Sequence, residues 1–182
     1  VKVVGIAALG TEAPAGLADK ARRLVGLLAE RCGTGLVVAV GGYWGLMRIV
    51  VDEALGRGLG VLIFPPLERE DESFPEGAIV VRTGMGFRGR SVVLVRTADV
   101  LVAVGGEAGT IMEIVTAYLE GKPVFVLGGT GLSSDKMRVY EPYVDSRRLA
   151  ELRFYESVEE LADKVCSVVS SKLRESFSLT LA

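Results

Sequence analysis

The chain has 182 residues, 21 basic against 23 acidic side chains, a net charge of −2 and a mean hydropathy of +0.40. That length suits one domain with a sizeable core and is short for two. No apolar run approaches the roughly 18–20 residues of a membrane span, and no Lys/Arg block supplies the electrostatic footprint of a nucleic-acid binder.

The opening "VKVVGIAALG" reads as a first strand over 2–8 of a cytoplasmic protein, since it has one basic residue and is interrupted by Gly5, unlike a signal-peptide core. Leu17, Ala21, Leu24, Val25, Leu28 and Cys32 then share one helical face, and a second strand covers 35–40. Leu46, Met47, Val50, Val51 and Ala54 form the stripe of the next helix, and strands follow at 60–64 and 78–82. Pro65 and Pro75 enclose "LEREDESF", a solvated acidic loop without recognised metal spacing. A helix over 88–97 leads to a strand over 99–104. The helix over 110–120 carries a stripe of Ile111, Ile114, Val115, Tyr118 and Leu119, closes at Gly121 and stops at Pro123. After a strand over 124–127, Ser157 to Glu160 make a capping box for a last helix reaching 173, and 174–182 form a tail.

Short Val/Ile/Leu runs alternating with helical periods are the signature of βαβ units. The expected fold is a single α/β domain over 1–182, with its core in 2–173. It is a Rossmann-like, doubly wound, mostly parallel sheet with helices on both faces.

The chain contains no His, Asn or Gln, and Arg outnumbers Lys fifteen to six. Loss of the amide side chains suggests a heat-adapted host. Without His there is no Ser-His-Asp or Cys-His nucleophile system and no His metal ligand, so proton transfer falls to a carboxylate, Lys, Tyr or Cys with a shifted pKa. Cys32 and Cys166 are far apart, which excludes a CxxC redox or zinc pattern and gives no disulfide framework; both read as buried thiols. No metal site is expected.

One device occurs twice. "VAVGG" spans 38–42 and again 102–106, and each copy is followed after two residues by a further glycine, Gly45 or Gly109. Each ends a strand and opens a helix, so in a doubly wound sheet both loops can face one crevice at the carboxyl edge. Helix starts offer unpaired N–H groups and a positive dipole end, which makes Gly41, Gly42, Gly45, Gly105, Gly106, Gly109 and Thr110 candidates to hold a phosphate-bearing small molecule. Thr110 and Glu113 also fit a capping box that needs no ligand, although Glu113 lies opposite the apolar stripe and is not claimed by it. Tyr43 and Trp44 are candidates either to stack on a ligand ring or to pack. "GMGFRG" at 84–89 matches GxGxxG but follows the fourth strand and has no acid about 20 residues on at the end of a second strand, which argues against NAD.

The order "GGYWGLM", "TGMGFRGRSVVLVRTADVLVAVGG", "AGTIMEI" and "GKPVFVLGGTG" resembles the LONELY GUY family, Rossmann-like proteins also labelled lysine decarboxylase-like, over residues 2–130. Within it the match is to the branch that includes molybdenum-cofactor carrier proteins. The resemblance implies binding of a nucleotide-like phosphorylated molecule, with a nucleoside 5'-monophosphate or the molybdenum cofactor as ligand, no required cofactor, and a homodimer or homotetramer. In the enzymes of the family a nucleoside 5'-monophosphate loses its base. Carried over by motif, Gly106, Gly109 and Thr110 hold the phosphate, Glu113 is the catalytic carboxylate and Arg90 its basic partner, with Arg88 a rival. The oxocarbenium-like state of such a cleavage is one a carboxylate can stabilise. Gly105 stands where the enzymes have Pro, Glu107 where they have a second Gly, and Ser91 where they have Lys. These departures bear on hydrolysis more than on binding and keep a second reading open, a non-catalytic carrier or sensor of a phosphorylated pterin. A decarboxylase would need a Schiff-base Lys, and Lys122 is explained by its place at a helix end.

Overall fold

The β-branched runs form strands β1 (Lys2–Ala8), β2 (Leu36–Val40), β3 (Gly60–Ile63), β4 (Ile79–Val80), β5 (Val100–Val104), β6 (Val124–Leu127) and β7 (Leu152–Tyr155). In this computed structural model, which describes residues 2–179, they pair in the order β4-β3-β2-β1-β5-β6-β7, every pair parallel. The amphipathic segments form α1 (Ala15–Arg31), α2 (Gly45–Gly56), α3 (Phe87–Thr97), α4 (Ala108–Leu119) and α5 (Val158–Leu179). The expected doubly wound architecture is therefore present, and α5 continues through the segment read as a tail, whose residues 180–182 lie outside the described residues.

Alternation along the strands divides the core in two. Val100, Val102 and Val104 of β5 pack with Phe125, Leu127 and the helices α1, α2 and α5. Leu101 and Ala103 point the other way, with Val124, Val126 and the helices α3 and α4. A parallel sheet buried on both faces needs such continuous apolar strands. β7, which the sequence reading passed over, adds Leu152 and Phe154 to the second layer.

Two readings need correction. Cys32 and Cys166 are not thiols but form a disulfide across 134 residues, because α1 and α5 lie side by side on one face and bring the two Cα atoms to 4.5 Å. Sequence spacing carries no trace of that adjacency. The acidic loop, in turn, is more than solvated coil. It contains a 3-10 turn at Leu67–Arg69; Glu70 accepts the Gly84 N–H at 2.8 Å, and Arg69 lies 4.3 Å over the Trp44 ring. No helix among the described residues is long and apolar enough to cross a membrane.

Tyr118, fully buried on α4, ties down the loop before β7. Its hydroxyl donates to Asp145 Oδ1 at 2.7 Å and accepts from the N–H groups of Asp145 and Leu149 at 3.3 Å. Tyr118→Phe leaves both N–H groups without that acceptor and is expected to cost about 1–3 kcal/mol, read from denaturant midpoints. Arg147, followed by Tyr118, holds the Asp145 carboxyl down to about 2. A depressed acid contributes stability above its unfolded pKa and loses it as pH falls through the folded one, so the contribution fades from ordinary carboxylate pH down to about 2. In Asp145→Asn that part of the acid limb should vanish.

Candidate active site at the sheet's switch point

Strand order reverses at β1: the chain leaves it outward through β2, β3 and β4 and returns to its other side as β5. Loops after β1 and β5 therefore diverge, and open sheets place ligands in the crevice so formed. A cavity of about 470 Å³ lies there, lined by the end of β1 and its loop (Ala8, Leu9, Gly10, Thr11), by Trp44 before α2 and Met47 in it, by Phe87, Arg88, Arg90 and Ser91 of α3, by Glu107 before α4, and by Ala108, Gly109, Thr110, Met112 and Glu113 of α4.

The centre of the site is an ion pair between two helices. Arg90 and Glu113, only 6% and 8% exposed, face each other from α3 and α4 with Nη1 3.1 Å from Oε1. Ser91 Oγ lies 2.8 Å from the same Oε1 and 3.1 Å from the Phe87 carbonyl. Burial pushes the Glu113 carboxyl up, opposed first by the charge of Arg90 and then by the Ser91 hydroxyl. Burial likewise lowers Arg90, which Glu113 opposes. Arg90 Nε is sealed and has no partner among the described residues. Between the rivals, Arg90 is the partner of Glu113; Arg88 lines the same cavity from an exposed position.

The α4 stripe differs from expectation. Its buried residues are Thr110, Glu113, Ile114, Ala117 and Tyr118, whereas Leu119 is half exposed and Glu113, read as lying opposite the apolar face, is inside. The reason is α3, which packs along that side of α4 and gives a charged residue a buried counter-ion. Helix α4 also begins two residues early: Glu107 is the N-cap without a side-chain hydrogen bond, and Thr110 sits inside the first turn.

The glycines divide by what they face. Gly41 is where the Arg90 guanidinium rests, and a Cβ there would overlap it; Gly42 is covered in the same way by the Trp44 ring. Gly45, at φ +54, has the Thr11 carbonyl 2.5 Å from where a Cβ would stand, so it joins the two loops and admits no side chain. Gly106 is filled by Thr110, and its N–H donates to Ser134 Oγ at 3.1 Å. Gly105 packs beside Leu17 and Leu132. Of the glycines in the two repeats, Gly109 lines the cavity with open space before it. The first N–H groups of α4 lack intrahelical acceptors by geometry, so Ala108, Gly109 and Thr110 present donors to the cavity. Trp44 forms its wall, edge-on to Phe87 with centroids 6.4 Å apart. Tyr43 does not reach it: its hydroxyl donates to Asp52 at 2.7 Å. The β1 loop, Phe87 and Met112 were missed by the motif search; the clue to the first was the central place that β1 takes in any doubly wound sheet.

Gly41→Ala is expected to displace the Arg90 guanidinium and cost about 1–3 kcal/mol as an overpacked site. Denaturation curves give the cost, and a crystal structure of the variant would show whether Arg90 still reaches Glu113.

Fold and cavity together define a Rossmann-like α/β protein whose switch point is fitted with an Arg–Glu pair and a helix N-terminus. The chain belongs to the SLOG cluster4 family, whose sequence profile matches residues 1–161, in agreement with the LONELY GUY resemblance. An uncharacterized protein of Archaeoglobus fulgidus is 37% identical over 122 residues, which are 66% of this chain and 76% of that one. The crystal structure of TM1055 is 34% identical with a TM-score of 0.77, over 91% of this chain and 98% of that one. The fold is shared with the molybdenum cofactor binding protein of Rippkaea orientalis, at 22% identity, TM-score 0.74 and coverage of 92% and 97%. It is also shared with the molybdenum cofactor carrier protein of Chlamydomonas reinhardtii, at 21%, 0.73, and 93% and 98%.

Proposed function

We propose that this chain binds a phosphorylated, nucleotide-like small molecule in the switch-point cavity and holds it without cleaving it, as a carrier or sensor. The observation that supports this reading is the two-ended chemistry of the cavity. The α4 N-terminus with Arg88 and Arg90 offers donors and positive charge, and Trp44 with Phe87 offers a flat apolar wall. A phosphate belongs at the first end and a heterocycle at the second. A phosphorylated pterin has both parts, and the fold shared with a molybdenum cofactor binding protein and a molybdenum cofactor carrier protein makes the cofactor a natural cargo. Glu107 at the mouth adds a negative charge where the nucleotide-cleaving relatives implied by the motif have Gly, which sets this site apart from theirs.

A second reading, hydrolysis of nucleoside 5'-monophosphates to base and ribose 5-phosphate, rests on the paired Arg90 and Glu113. Glu113 Oε2 receives no hydrogen bond from the described residues and is available to an oxocarbenium-like centre. A time course of base release from a panel of monophosphates, with Glu113→Gln as control, separates the two. Release dependent on Glu113 establishes hydrolysis. Absence of release, with a phosphorylated heterocycle recovered from the purified protein and identified by mass spectrometry, establishes the carrier.

A further inference from the structure

Both hydrogen bonds to Glu113 fall on one oxygen. Arg90 Nη1 and Ser91 Oγ converge on Oε1 at 3.1 and 2.8 Å, and no donor among the described residues reaches Oε2. Glu113 lines the cavity, and Arg90 Nε beside it is a buried side-chain atom without a partner among the described residues. When the Ser91 hydroxyl gives its one proton to Oε1 rather than to the Phe87 carbonyl, Oε1 accepts two donors and is the carbonyl-like oxygen, so a proton added to this carboxyl goes to Oε2. The α4 N–H groups that would receive an anion start one turn away at Gly109 and Thr110, on the helix that carries Glu113.

Resting on the reading of this cavity as an anion site, we propose that Glu113 serves the bound anion as a neutral acid. One proton is taken from solvent to Oε2 as the anion enters, and Ser91 is the positioning residue that keeps that proton facing the cavity. The balance is simple: an ionised carboxylate, a dianion and one proton give a complex in which Oε2–H can donate to an anion oxygen, and no other bond changes. Like charges in one desolvated site cannot both persist cheaply, so the dianion raises the affinity of its carboxylate neighbour for a proton. Burial alone already pushes Glu113 in that direction. The groups around it do not take over the role. From α3 come the guanidinium side chains of Arg88 and Arg90 and the Ser91 hydroxyl; just before α4, Glu107 is exposed at the mouth. The β1 loop contributes Thr11, and the start of α2 contributes Trp44 and Met47, none of which carries charge. From the acidic loop, Arg69 is stacked on Trp44 and Glu68 approaches Gly86 at the start of α3.

Sulfate is the probe, because it stays a dianion throughout the working range. Its affinity is read from the amide shifts of Gly109 and Thr110 between about pH 6 and about pH 8 in the whole protein. Uptake of one proton weakens binding by about tenfold per pH unit above the free protein's Glu113 pKa. Glu113→Gln, whose amide imitates the neutral acid, is expected to bind sulfate at every pH as tightly as the native protein does at the acid end. Ser91→Ala removes a donor to the ionised form, so the midpoint of the pH dependence moves upward, and Ser91→Thr restores it. Native affinity that is flat across the range overturns proton uptake and leaves the anion site standing. Absence of shifts at Gly109 and Thr110 at either pH overturns both. A Ser91→Ala midpoint equal to the native one overturns the positioning role.

Discussion

Arg90→Met is expected to destabilise the protein by about 3–5 kcal/mol, the cost of leaving one partner of a buried ion pair uncompensated. The side chains of Arg90 and Glu113 are 8% and 10% exposed, so water cannot replace the missing charge as it does for the surface pairs, where about 0–1 kcal/mol is typical. The loss depends on pH in a defined direction. Without Arg90, Glu113 keeps the rise caused by burial and loses its largest opposing influence. An acid whose folded pKa lies above its unfolded one binds more protons when folded, so stability falls as pH rises from the unfolded pKa through the folded one. The variant should therefore lie nearest the native protein under mildly acidic conditions. Replacing both partners, as in Arg90→Met with Glu113→Leu, removes the unpaired charge and should recover most of the loss. Urea denaturation of the two single variants and the double variant at two pH values checks this. A single-variant cost under about 1 kcal/mol would show that the pair is solvated in solution.

Opening the Cys32–Cys166 disulfide is expected to cost about 4–5 kcal/mol. The crosslink closes 134 residues, β2 to β7 with the helices between them, and a loop of that size is strongly restricted in the unfolded chain. Cys32 is 2% and Cys166 7% exposed, between α1 and α5 where Leu28, Leu161, Ala162 and Val165 also pack. The native helices are therefore held together by apolar contacts as well as by the bond, and the reduced protein should keep its fold while unfolding at lower denaturant. Curves for oxidised protein, protein reduced under mild denaturant, and Cys32→Ala with Cys166→Ala give the comparison. Equal midpoints for oxidised and reduced protein would mean that the bond contributes nothing to stability.

Much of the fold was legible because a parallel sheet buried on both faces writes itself as continuous Val/Ile/Leu runs, and six strands were placed from such runs. β7 was not, since "LRFY" alternates polar and apolar residues beside Glu151 and Glu156 and becomes a strand only by pairing with β6. At the site, motif spacing led to Arg90, Glu113, Thr110, Gly109 and Trp44, which all line one cavity. It did not reveal why the other glycines are there. Gly41 and Gly42 look like ligand cradles in one dimension; in three they are seats for Arg90 and Trp44, a contact between segments about fifty residues apart in one case and local in the other. The burial of Glu113 was hidden for a related reason. A helical wheel knows the period of α4, but not that α3 lies against its polar side.

The same disulfide has a mechanical side. Once β1 has been drawn from between β2 and β5, tension between the two sides of the crosslink passes through it, so the strands from β2 to β7, all enclosed between Cys32 and Cys166, carry none of the load. Among the described residues, β1 and α1 on one side and the outer part of α5 on the other lie outside the crosslink and can be drawn out. In the oxidised protein, a pulling experiment would lengthen the chain by those outer segments and then stop; with reductant present, the enclosed contour would follow. An unfoldase that grips one end would meet the same barrier: it must break the sulfur bridge, or thread two strands at once, before it reaches α3 and α4.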